Sequence, residues 1–440
     1  MSDTTPKNKD PRIEVFNGRL SDGRFFESVY HPELTPALQF VVALPHEQAT
    51  IQESVVDGSK TKYPPANQIK WIEKESIMLP SGVADYGCPN ALLQRMKEYV
   101  GQYLDFRTFD ISLIAHYAMM TWVWDEFSAF PYLRFKGEPN TGKTRCLEVM
   151  KQLCYRSTSF SGSGSKSALF HLIDAVRGTT LIDESEYDSD LKSDLIKILN
   201  RGYCKNGTHE ISIKKGDNWI PEIYNVGCPK VFTNRMDFPD NALETRCLTI
   251  FTQSKKLADR IPIELPVRFF SDGLVLRNQL LQWRINTLNS INKSEAELRH
   301  LDGRAIQLAL PLYSISPDAR FKKKLLEHLN RRSGELREQE PLRIVLEAAI
   351  SVRQHTGKDD ISVESVKQEA LRLANSRDVS VYRFTSRRVA ELAKRGLGFK
   401  PIRRNSGAYI LADLVTIKRQ SEHLRLSFGV DSDARVAPAA

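Results

Sequence analysis

The spacing of apolar residues changes along the chain, and each change predicts a different kind of element. Up to residue 80, short β-like runs such as LQFVVALP (38–45) are broken by Pro, Gly and Asp, which predicts a small β-rich module. Residues 90–128 instead show helical spacing in ALLQRMKEYVGQYL and DISLIAHYAMMTWVWDEF. We therefore expect two helices there, the second more deeply buried.

Strand-like and helical patterns alternate from residue 131 to 251, which predicts an α/β fold built on a parallel sheet. The pattern is mostly helical after that, and residues 361–413 show two helices followed by a two-stranded wing. The predicted segments are a disordered end (1–12), the β-rich module (13–85), a core with its preceding helices (86–252), a helical region (253–355), a winged-helix module (356–426) and a disordered tail (427–440).

The most specific motif lies between the strand-like YLRF and the amphipathic RCLEVMKQL. It matches GxxxxGK[ST] and consists of Gly137, Glu138, Pro139, Asn140, Thr141, Gly142, Lys143 and Thr144. In such a loop the backbone N–H groups face a phosphate, and the N-terminus of the following helix adds positive potential. Lys143 is expected to reach the β- and γ-phosphates, and the Thr144 hydroxyl to bind Mg²⁺. The motif predicts a nucleoside triphosphate site.

Two carboxylates end the apolar run in GTTLIDESE (178–186). A buried strand that ends in two carboxylates is costly unless they serve a metal and a water. Asp183 is expected to join the Mg²⁺ shell, and Glu184 to polarise the attacking water as general base. The alternative, an ordinary acidic loop, is less favoured because the phosphate loop precedes it.

Two later segments add candidate polar residues. NVGCPKVFTNR (225–235) is predicted to be a strand that ends at Asn234, whose amide would orient the attacking water. NALETRCLTIF (241–251) places Arg246 just ahead of another β run, from where it would reach the γ-phosphate of a neighbouring subunit. A plain turn residue and a surface salt bridge are the respective alternatives.

The segment GTHEISIKKGDNWIPEI (207–223) predicts a β-hairpin. Ile211 and Ile213 alternate with polar residues, and Gly216-Asp217-Asn218 is strong turn chemistry. Lys214 and Lys215 lie at the tip. Solvation accounts for most such lysine pairs, so what flanks the hairpin decides between that interpretation and a contact with phosphate.

The net charge of +9 resides in the C-terminal region, where residues 321–440 hold 24 Lys and Arg against 15 Asp and Glu. A basic region of this kind favours a nucleic-acid partner over a surface that is basic only for solubility. Within it, Thr385 or Ser386 can cap a helix, and a hairpin turns at Asn405-Ser406-Gly407. The predicted DNA contacts on this helix and wing are Arg387, Arg388, Arg403 and Arg404. The alternative is a winged-helix module that contacts other proteins inside a ring of subunits.

The rest of the composition limits the class of protein. The six cysteines form no CxxC pair, so we expect reduced thiols, no zinc site and a cytoplasmic location. No apolar run is long enough to span a membrane, and the N-terminal residues lack the apolar core of a signal peptide.

The order of phosphate loop, Asp-Glu strand, hairpin, Asn strand and Arg resembles the AAA+ ATPases. The hairpin before the Asn strand makes the chain similar to the pre-sensor-1 hairpin clade, which includes minichromosome-maintenance-like helicases. FPYLRFKGEPNTGKT, SKSALFHLID, LIDESE, ALETRC and GRAIQLALPL resemble AAA+ ATPases that phages and integrating mobile elements encode beside a primase. The resemblance covers roughly half of the chain, from 90 to 312.

This resemblance implies an AAA+ P-loop core with a helical lid, a small N-terminal β-rich module and a C-terminal winged helix. It implies ATP and Mg²⁺ as cofactors, Asn234 as sensor 1, Arg246 as the arginine finger and Arg304 as sensor 2, although Arg277 and Arg284 lie in the same helical region. It further implies a homo-oligomeric ring, a hexamer, in which the hairpin lysines grip single-stranded DNA. The winged helix would contact duplex DNA, and a separate primase would be a partner.

The chain departs from the family in having no zinc-binding cysteines in the N-terminal region and no recognisable primase segment. The leading interpretation is a ring-forming, ATP-driven DNA helicase or translocase in replication of a phage or mobile element. A loader ATPase and a nucleotide-switched DNA-binding regulator are the alternatives. The hairpin lysines favour the first, and the intact Asp183-Glu184 pair argues against an inactive ATPase.

Overall fold

The chain divides into two compact units, Met1–Glu327 and His328–Ala440. The computed structural model describes residues 13–160, 166–183, 189–215, 218–235, 238, 240–253, 258–293, 295–376, 384–404 and 407–424. Of these, only the backbone is described at 166–168, 189–195, 215, 241, 332–340 and 422. The finer division predicted from the sequence, with boundaries near residues 85, 252 and 355, stays a prediction.

The N-terminal part of the first unit is rich in short strands. They are β1 (Ile13–Glu14), β2 (Asn17–Arg19), β3 (Phe25–Tyr30), β4 (Leu38–Ala43), β5 (Thr50–Gln52), β6 (Val55–Asp57) and β7 (Lys60–Tyr63), followed by α1 (Ile69–Glu73). In the described residues β2-β3-β4-β5 form an antiparallel sheet, and β1-β7-β6 form a second small sheet. Phe26 and Phe40 pack edge to face between the strands, with ring centroids 4.9 Å apart.

A buried charge network joins β3 to the rest of the first unit. The Glu27 carboxylate lies 3.0 Å from Arg156 and 3.5 Å from Arg284, and it accepts a hydrogen bond from the Tyr155 hydroxyl at 2.8 Å. Arg284 also pairs with Asp125. Each charge is compensated, which is the condition for burying it. The network fixes β3 to the residues that follow the phosphate-loop helix.

Two helices precede the central sheet, α2 (Pro89–Tyr103) and α3 (Thr108–Thr121). Pro89 begins α2, where the missing N–H costs no helical hydrogen bond. Helix α3 is buried almost all round, as its apolar pattern predicts. Burial lowers the pKa of its His116 to about 3, and the neutral ring stacks on Phe321.

The alternating pattern from 131 to 251 forms a parallel sheet, so the prediction of an α/β fold on such a sheet is confirmed. Its elements in chain order are β8 (Tyr132–Lys136), α4 (Lys143–Leu153), β9 (Thr158–Phe160), α5 (Lys166–Val176), β10 (Thr180–Asp183), α6 (Ser189–Gly202), β11 (Thr208–Lys215), β12 (Asn218–Asn225), β13 (Lys230–Asn234), α7 (Asn241–Glu244) and β14 (Cys247–Phe251). Five described strands pair in the order β14-β8-β13-β10-β9, and this central sheet is consistent with a P-loop-like core.

The register of the central sheet brings three strand ends together. Asp183 lies opposite Thr233, and Asn234 lies opposite Lys136. Strands β10, β13 and β8 therefore end at one edge, directly before the phosphate loop. In parallel α/β sheets this carboxyl edge is where ligands bind. Strands β11 and β12 stand apart as an antiparallel hairpin.

Helices follow the sheet in the first unit. They are α8 (Val267–Thr287), α9 (Glu295–Leu298), α10 (Gly303–Ile315) and α11 (Ala319–Thr356), and the division between the two units falls within α11. Asp302 caps α10 by accepting a hydrogen bond from the Ala305 backbone N–H at 2.8 Å.

The second unit has its own apolar core and its own small sheet. After α11 its elements are β15 (Asp360–Ser362), α12 (Val363–Ser376), α13 (Ser386–Glu391), β16 (Lys400–Arg404), β17 (Gly407–Leu411) and α14 (Leu414–Leu424). The Thr385 hydroxyl caps α13 by accepting from the Arg388 N–H at 3.2 Å. The strands pair antiparallel in the order β15-β17-β16. The predicted turn residues Asn405 and Ser406 lie outside the described residues.

In the part of the chain that the structure describes, no helix is both long enough and apolar enough to cross a lipid bilayer. The same part holds no cluster of three or more His, Cys, Asp or Glu side chains arranged to bind a metal.

Candidate functional site

The GxxxxGKT segment joins β8 to α4 as a tightly curled loop. Asn140 and Gly142 have positive φ values of 61° and 83°. Gly137 has no space for a side chain, since a Cβ there would collide with Thr252. The Gly137 N–H donates to the Asn234 carbonyl at 3.2 Å, and the Thr141 hydroxyl lies 2.7 Å from that of Thr252. The loop is therefore fixed to the strands on both sides of β8.

Lys143 lies at the first position of α4 and is folded back over the loop. Its Nζ donates to the carbonyls of Gly137 at 2.7 Å and Glu138 at 2.6 Å. Burial lowers the pKa of Lys143, and the charge of Arg235 lowers it further, whereas Asp183 acts in the opposite direction. Three charged side chains are thus close enough to interact electrostatically beside the loop.

Asp183 ends β10 at this same edge. The Thr233 hydroxyl of β13 donates to its carboxylate at 2.5 Å, which fixes the side chain between the two strands. Thr144 is exposed in the first turn of α4. A hydroxyl and a carboxylate are hard oxygen donors of the kind that Mg²⁺ takes, so these residues fit the ion. Glu184, the predicted general base, lies outside the described residues.

Asn234 ends β13, and its amide is buried without a partner. The residue is 4% exposed, and within the described residues neither Nδ2 nor Oδ1 makes a hydrogen bond. An unsatisfied buried amide costs about 1–3 kcal/mol. A ligand or a positioned water beside the phosphate loop would supply the hydrogen bonds that the Asn234 amide lacks.

A cavity of about 570 Å³ opens beside the loop. Asn140, Thr141 and Gly142 form part of its lining. Elsewhere the lining is mainly aromatic and apolar, from Tyr103, Phe106, Phe251 and Ile261, with polar groups such as Asp105 and Gln253. A small-molecule pocket typically has this size and an apolar lining with a few polar groups. The sequence did not reveal this cavity, because its wall residues come from helices α2, α3 and α4, strand β14 and the segments that connect them.

Arg235 is a second cation that the sequence analysis did not assign. It directly follows Asn234, is exposed, and is the largest electrostatic influence on Lys143 after burial. The signal was present in the chain, since a basic residue after a strand that ends beside a phosphate loop is well placed for an anion.

Arg246 lies at the other edge of the central sheet. Its carbonyl accepts from the N–H of Tyr132, the first residue of β8, whereas the phosphate loop follows the last. Strand β8 runs from Tyr132 to Lys136, and a strand rises about 3.3 Å per residue. The two edges of the sheet are therefore about 13 Å apart along β8. Arg246 therefore does not lie beside the phosphate loop of its own chain.

The guanidinium of Arg246 is held by α6 and the residue after it. Its Nη1 donates to Asn200 at 2.7 Å, and the group lies over the Tyr203 ring at 4.4 Å from the centroid. Arg304 lies over the same ring at 5.1 Å. The structure thus brings together two arginines that are 58 residues apart in sequence. Tyr203 carried no signal in the sequence, because its role depends on both contacts.

A buried ion pair positions the segment before Arg246. Arg134 of β8 donates to both carboxylate oxygens of Glu244 in α7, one of them at 2.6 Å. Arg134 also donates to the Thr249 hydroxyl at 2.8 Å. This geometry ties α7 to the sheet, two residues ahead of Arg246.

The three candidate arginines for the sensor-2 position differ in their surroundings. Arg277 is buried and donates to backbone carbonyls of Leu79 and Gln152; burial lowers its pKa to about 10. Arg284 is buried in the ion network with Asp125 and Glu27. Arg304 is only half-buried and donates to Gln307 at 2.6 Å. Arg304 alone of the three is accessible to a ligand or a partner.

The hairpin of β11 and β12 has two different faces. Lys214 lies opposite Trp219, and Lys215 lies opposite Asn218. On the face with Lys214, all the residues from Glu210 to Ile223 are exposed, including Trp219 at 68%. On the other face Ile211 packs against the core and Tyr224 is buried. The side chain of Lys215 lies outside the described part of the structure.

The four arginines predicted to contact DNA from the second unit are all exposed. Arg388 pairs with Glu391 at 3.0 Å, and Arg404 pairs with Asp360. Arg387 and Arg403 make no ion pair within the described residues. Of the four predicted arginines, these two are therefore the more available to a phosphate.

A comparison with models of known protein families gives no match, and neither does a search of curated proteins. Among solved structures, the chain is similar to one entitled "SCCmec type IV Cch - active helicase", at 13% identity and a TM-score of 0.41, over 94% of this chain and 80% of that one. A similarity at this level does not assign a function to the chain.

Proposed function

We propose that this protein is an ATPase that couples hydrolysis to movement along DNA. The observation that carries the proposal is the convergence of the phosphate loop, Asp183 and Asn234 at one sheet edge, with a cavity of about 570 Å³ beside the loop itself. The loop supplies N–H groups and Lys143 for phosphates, and the aromatic lining of the cavity is suited to a base. ATP is the nucleotide that the sequence resemblance implies.

Each residue of the proposed site has its own role in ATP hydrolysis. Lys143 exchanges the carbonyls of Gly137 and Glu138 for phosphate oxygens, and Arg235 adds positive charge where negative charge develops. Thr144 and Asp183 would hold Mg²⁺, which stabilises the charge on the phosphates when it is bound. The Asn234 amide orients the attacking water, and Glu184 accepts its proton.

The proposed assembly is a homo-oligomeric ring, a hexamer by the family resemblance. The supporting observation is the position of Arg246 at the sheet edge opposite its own phosphate loop, next to Arg304 on Tyr203. An arginine in that place serves hydrolysis only if it meets the phosphate loop of a neighbouring copy. A head-to-tail arrangement forms a closed ring when the rotation from one copy to the next closes, which is the assembly proposed here.

The proposed DNA contacts lie on two elements. The hairpin of β11 and β12 would follow a single strand in the channel of the ring through Lys214 and Lys215, and the second unit would contact duplex DNA through its exposed arginines. Replication of a phage or mobile element, with a separate primase as partner, follows from the sequence resemblance. A loader ATPase that does not unwind DNA remains the second candidate, because the phosphate site is common to both.

A substitution in the phosphate loop tests the proposal. Lys143→Ala should lower ATP hydrolysis about 100-fold, since a cation that stabilises the transferring phosphate is lost. Lys151→Ala, in the last turn of the same helix, is the matched control and should retain activity. Turnover is measured with and without single-stranded DNA. Hydrolysis that survives in Lys143→Ala would refute the ATPase assignment, and wild-type hydrolysis that DNA does not stimulate would favour the loader.

A further inference from the structure

The outward face of the β11–β12 hairpin, here called the hairpin face, is unusual for exposed protein surface. It consists of Glu210, Ser212, Lys214, Trp219, Pro221 and Ile223, which the strand register places side by side. Trp219 is 68% exposed and Ile223 is 64% exposed. Aromatic and apolar side chains on such a face usually mark a binding surface.

We propose that the hairpin face binds single-stranded DNA by stacking an unpaired base on the indole of Trp219. This inference rests on the proposed function and goes beyond it, because lysine contacts alone do not distinguish a single strand from a duplex. An indole distinguishes a single strand from a duplex, because it stacks on the flat face of a base. In a duplex that face is covered by the neighbouring bases.

The cross-strand pairing of Trp219 with Lys214 supports a nucleotide as the occupant. Side chains directly opposite each other in an antiparallel pair lie about 4.5–5.5 Å apart at Cβ. A π-surface and a cation therefore stand side by side, matching a nucleotide, which offers a flat base and a charged phosphate. Within the described residues Lys214 makes no ion pair, so its charge is available to a phosphate.

The distribution of charge along the hairpin face supports an occupant near the tip. Trp219 belongs to the second residue pair from the turn, whereas Glu210 lies opposite Ile223 toward the base. Among the six residues of the hairpin face, the negative charge therefore lies at the end away from Trp219. A backbone that carries phosphates is accommodated best at the Trp219–Lys214 end.

The stacking contact is tested by binding of the full chain to two labelled strands of equal length, oligothymidine and an abasic strand with the same phosphates. Trp219→Ala should weaken binding of oligothymidine roughly 5- to 100-fold and leave the abasic strand nearly unchanged. Trp219→Phe, which keeps an aromatic face, should retain most of the affinity. Trp71→Ala removes the other exposed tryptophan, at 45%, and should bind like wild type.

Two results would overturn the inference. An equal loss for both strands would show that Trp219 does not stack on a base. Unchanged DNA binding with altered assembly in light scattering would show that the hairpin face is an interface between copies. Binding is measured without nucleotide, so a failure of the proposed ATPase function would appear separately, in the Lys143→Ala turnover experiment.

Discussion

At the scale of single residues, Asn234 is distinguished by the surroundings of its side-chain amide. Its backbone carbonyl is used by the Gly137 N–H, while its side-chain amide is buried with no hydrogen-bond partner in the described residues. Native structures leave few such groups unsatisfied, and those that remain often have a functional reason. We therefore expect stability and activity to conflict at this position.

Replacing Asn234 should separate the two properties. Asn234→Leu replaces the unsatisfied amide with an apolar side chain of similar size. The free energy of unfolding should therefore rise by about 1 kcal/mol. ATP hydrolysis should fall about 100-fold, because the positioned water is lost, while ATP binding is retained. Urea unfolding, turnover and nucleotide affinity are measured on the same preparation.

Asn278→Leu provides the contrasting control. The Asn278 amide donates to Ser81 at 3.0 Å and its oxygen accepts from the Ser81 backbone N–H at 2.9 Å, far in sequence from the site. This variant should be less stable and fully active. An Asn234→Leu protein with normal turnover would remove Asn234 from the mechanism.

At the residue scale, the sequence located those groups that belong to local motifs. Lys143, Thr144 and Asp183 were found because their order along the chain is itself the signal. Tyr203 was missed, since its role depends on contacts with two arginines that are distant from it in the sequence. Contacts of that kind have no local pattern.

At the scale of elements, the arrangement of the central sheet decides what Arg246 is able to do. Strand β14 begins at Cys247, so Arg246 lies at the amino edge of a sheet whose carboxyl edge holds the phosphate loop. Helix α6 and Tyr203 hold the arginine there, together with Arg304. The geometry makes a testable distinction between action within a subunit and action between subunits.

Mixing two inactive variants tests action between subunits. Lys143→Ala and Arg246→Ala proteins should each be inactive alone. Mixed oligomers should regain part of the ATPase activity, because some interfaces combine an intact phosphate loop from one copy with an intact Arg246 from the next. Absence of any recovery, with mixed assembly verified, would contradict the finger assignment.

Tyr203 is expected to position the arginines rather than to contact nucleotide. Tyr203→Leu should lower kcat with little change in KM, because the cation–π contacts that orient Arg246 and Arg304 are lost. Tyr203→Phe keeps the ring and should restore most of the activity. A change in KM alone would place Tyr203 in nucleotide binding instead.

At the scale of the whole molecule, the excess positive charge lies in the C-terminal region, and the second unit exposes Arg387 and Arg403 without carboxylate partners in the described residues. Each phosphate contact that is lost lowers the slope of log K for DNA binding against log salt by somewhat less than one. The Arg387→Ala/Arg403→Ala double variant should therefore reduce the slope of log K against log salt by about 2.

A matched pair of substitutions distinguishes contact from net charge. Arg353→Ala/Arg372→Ala removes the same charge from the same unit, at arginines that pair with Asp359 and Glu369. This variant should keep the wild-type slope. Equal losses in both double variants would mean that DNA responds to diffuse charge and that Arg387 and Arg403 make no specific contact.

The sequence by itself determined the local features of this protein. The phosphate-loop motif, the apolar periods that predict a parallel α/β sheet and the uneven charge are all local in the chain, so they can be recognised without knowing the fold. The sheet and the mixed α/β class are confirmed by the structure, and the roles of the site residues stay proposals.

The tertiary structure decided which residues meet. It placed Arg246 across the sheet from the phosphate loop, joined it to Arg304 through Tyr203, and buried Arg277 and Arg284. It also set Trp219 beside Lys214 on an exposed face. Strand order, register and burial arise from packing between segments far apart in the chain, and no local pattern of residues encodes them.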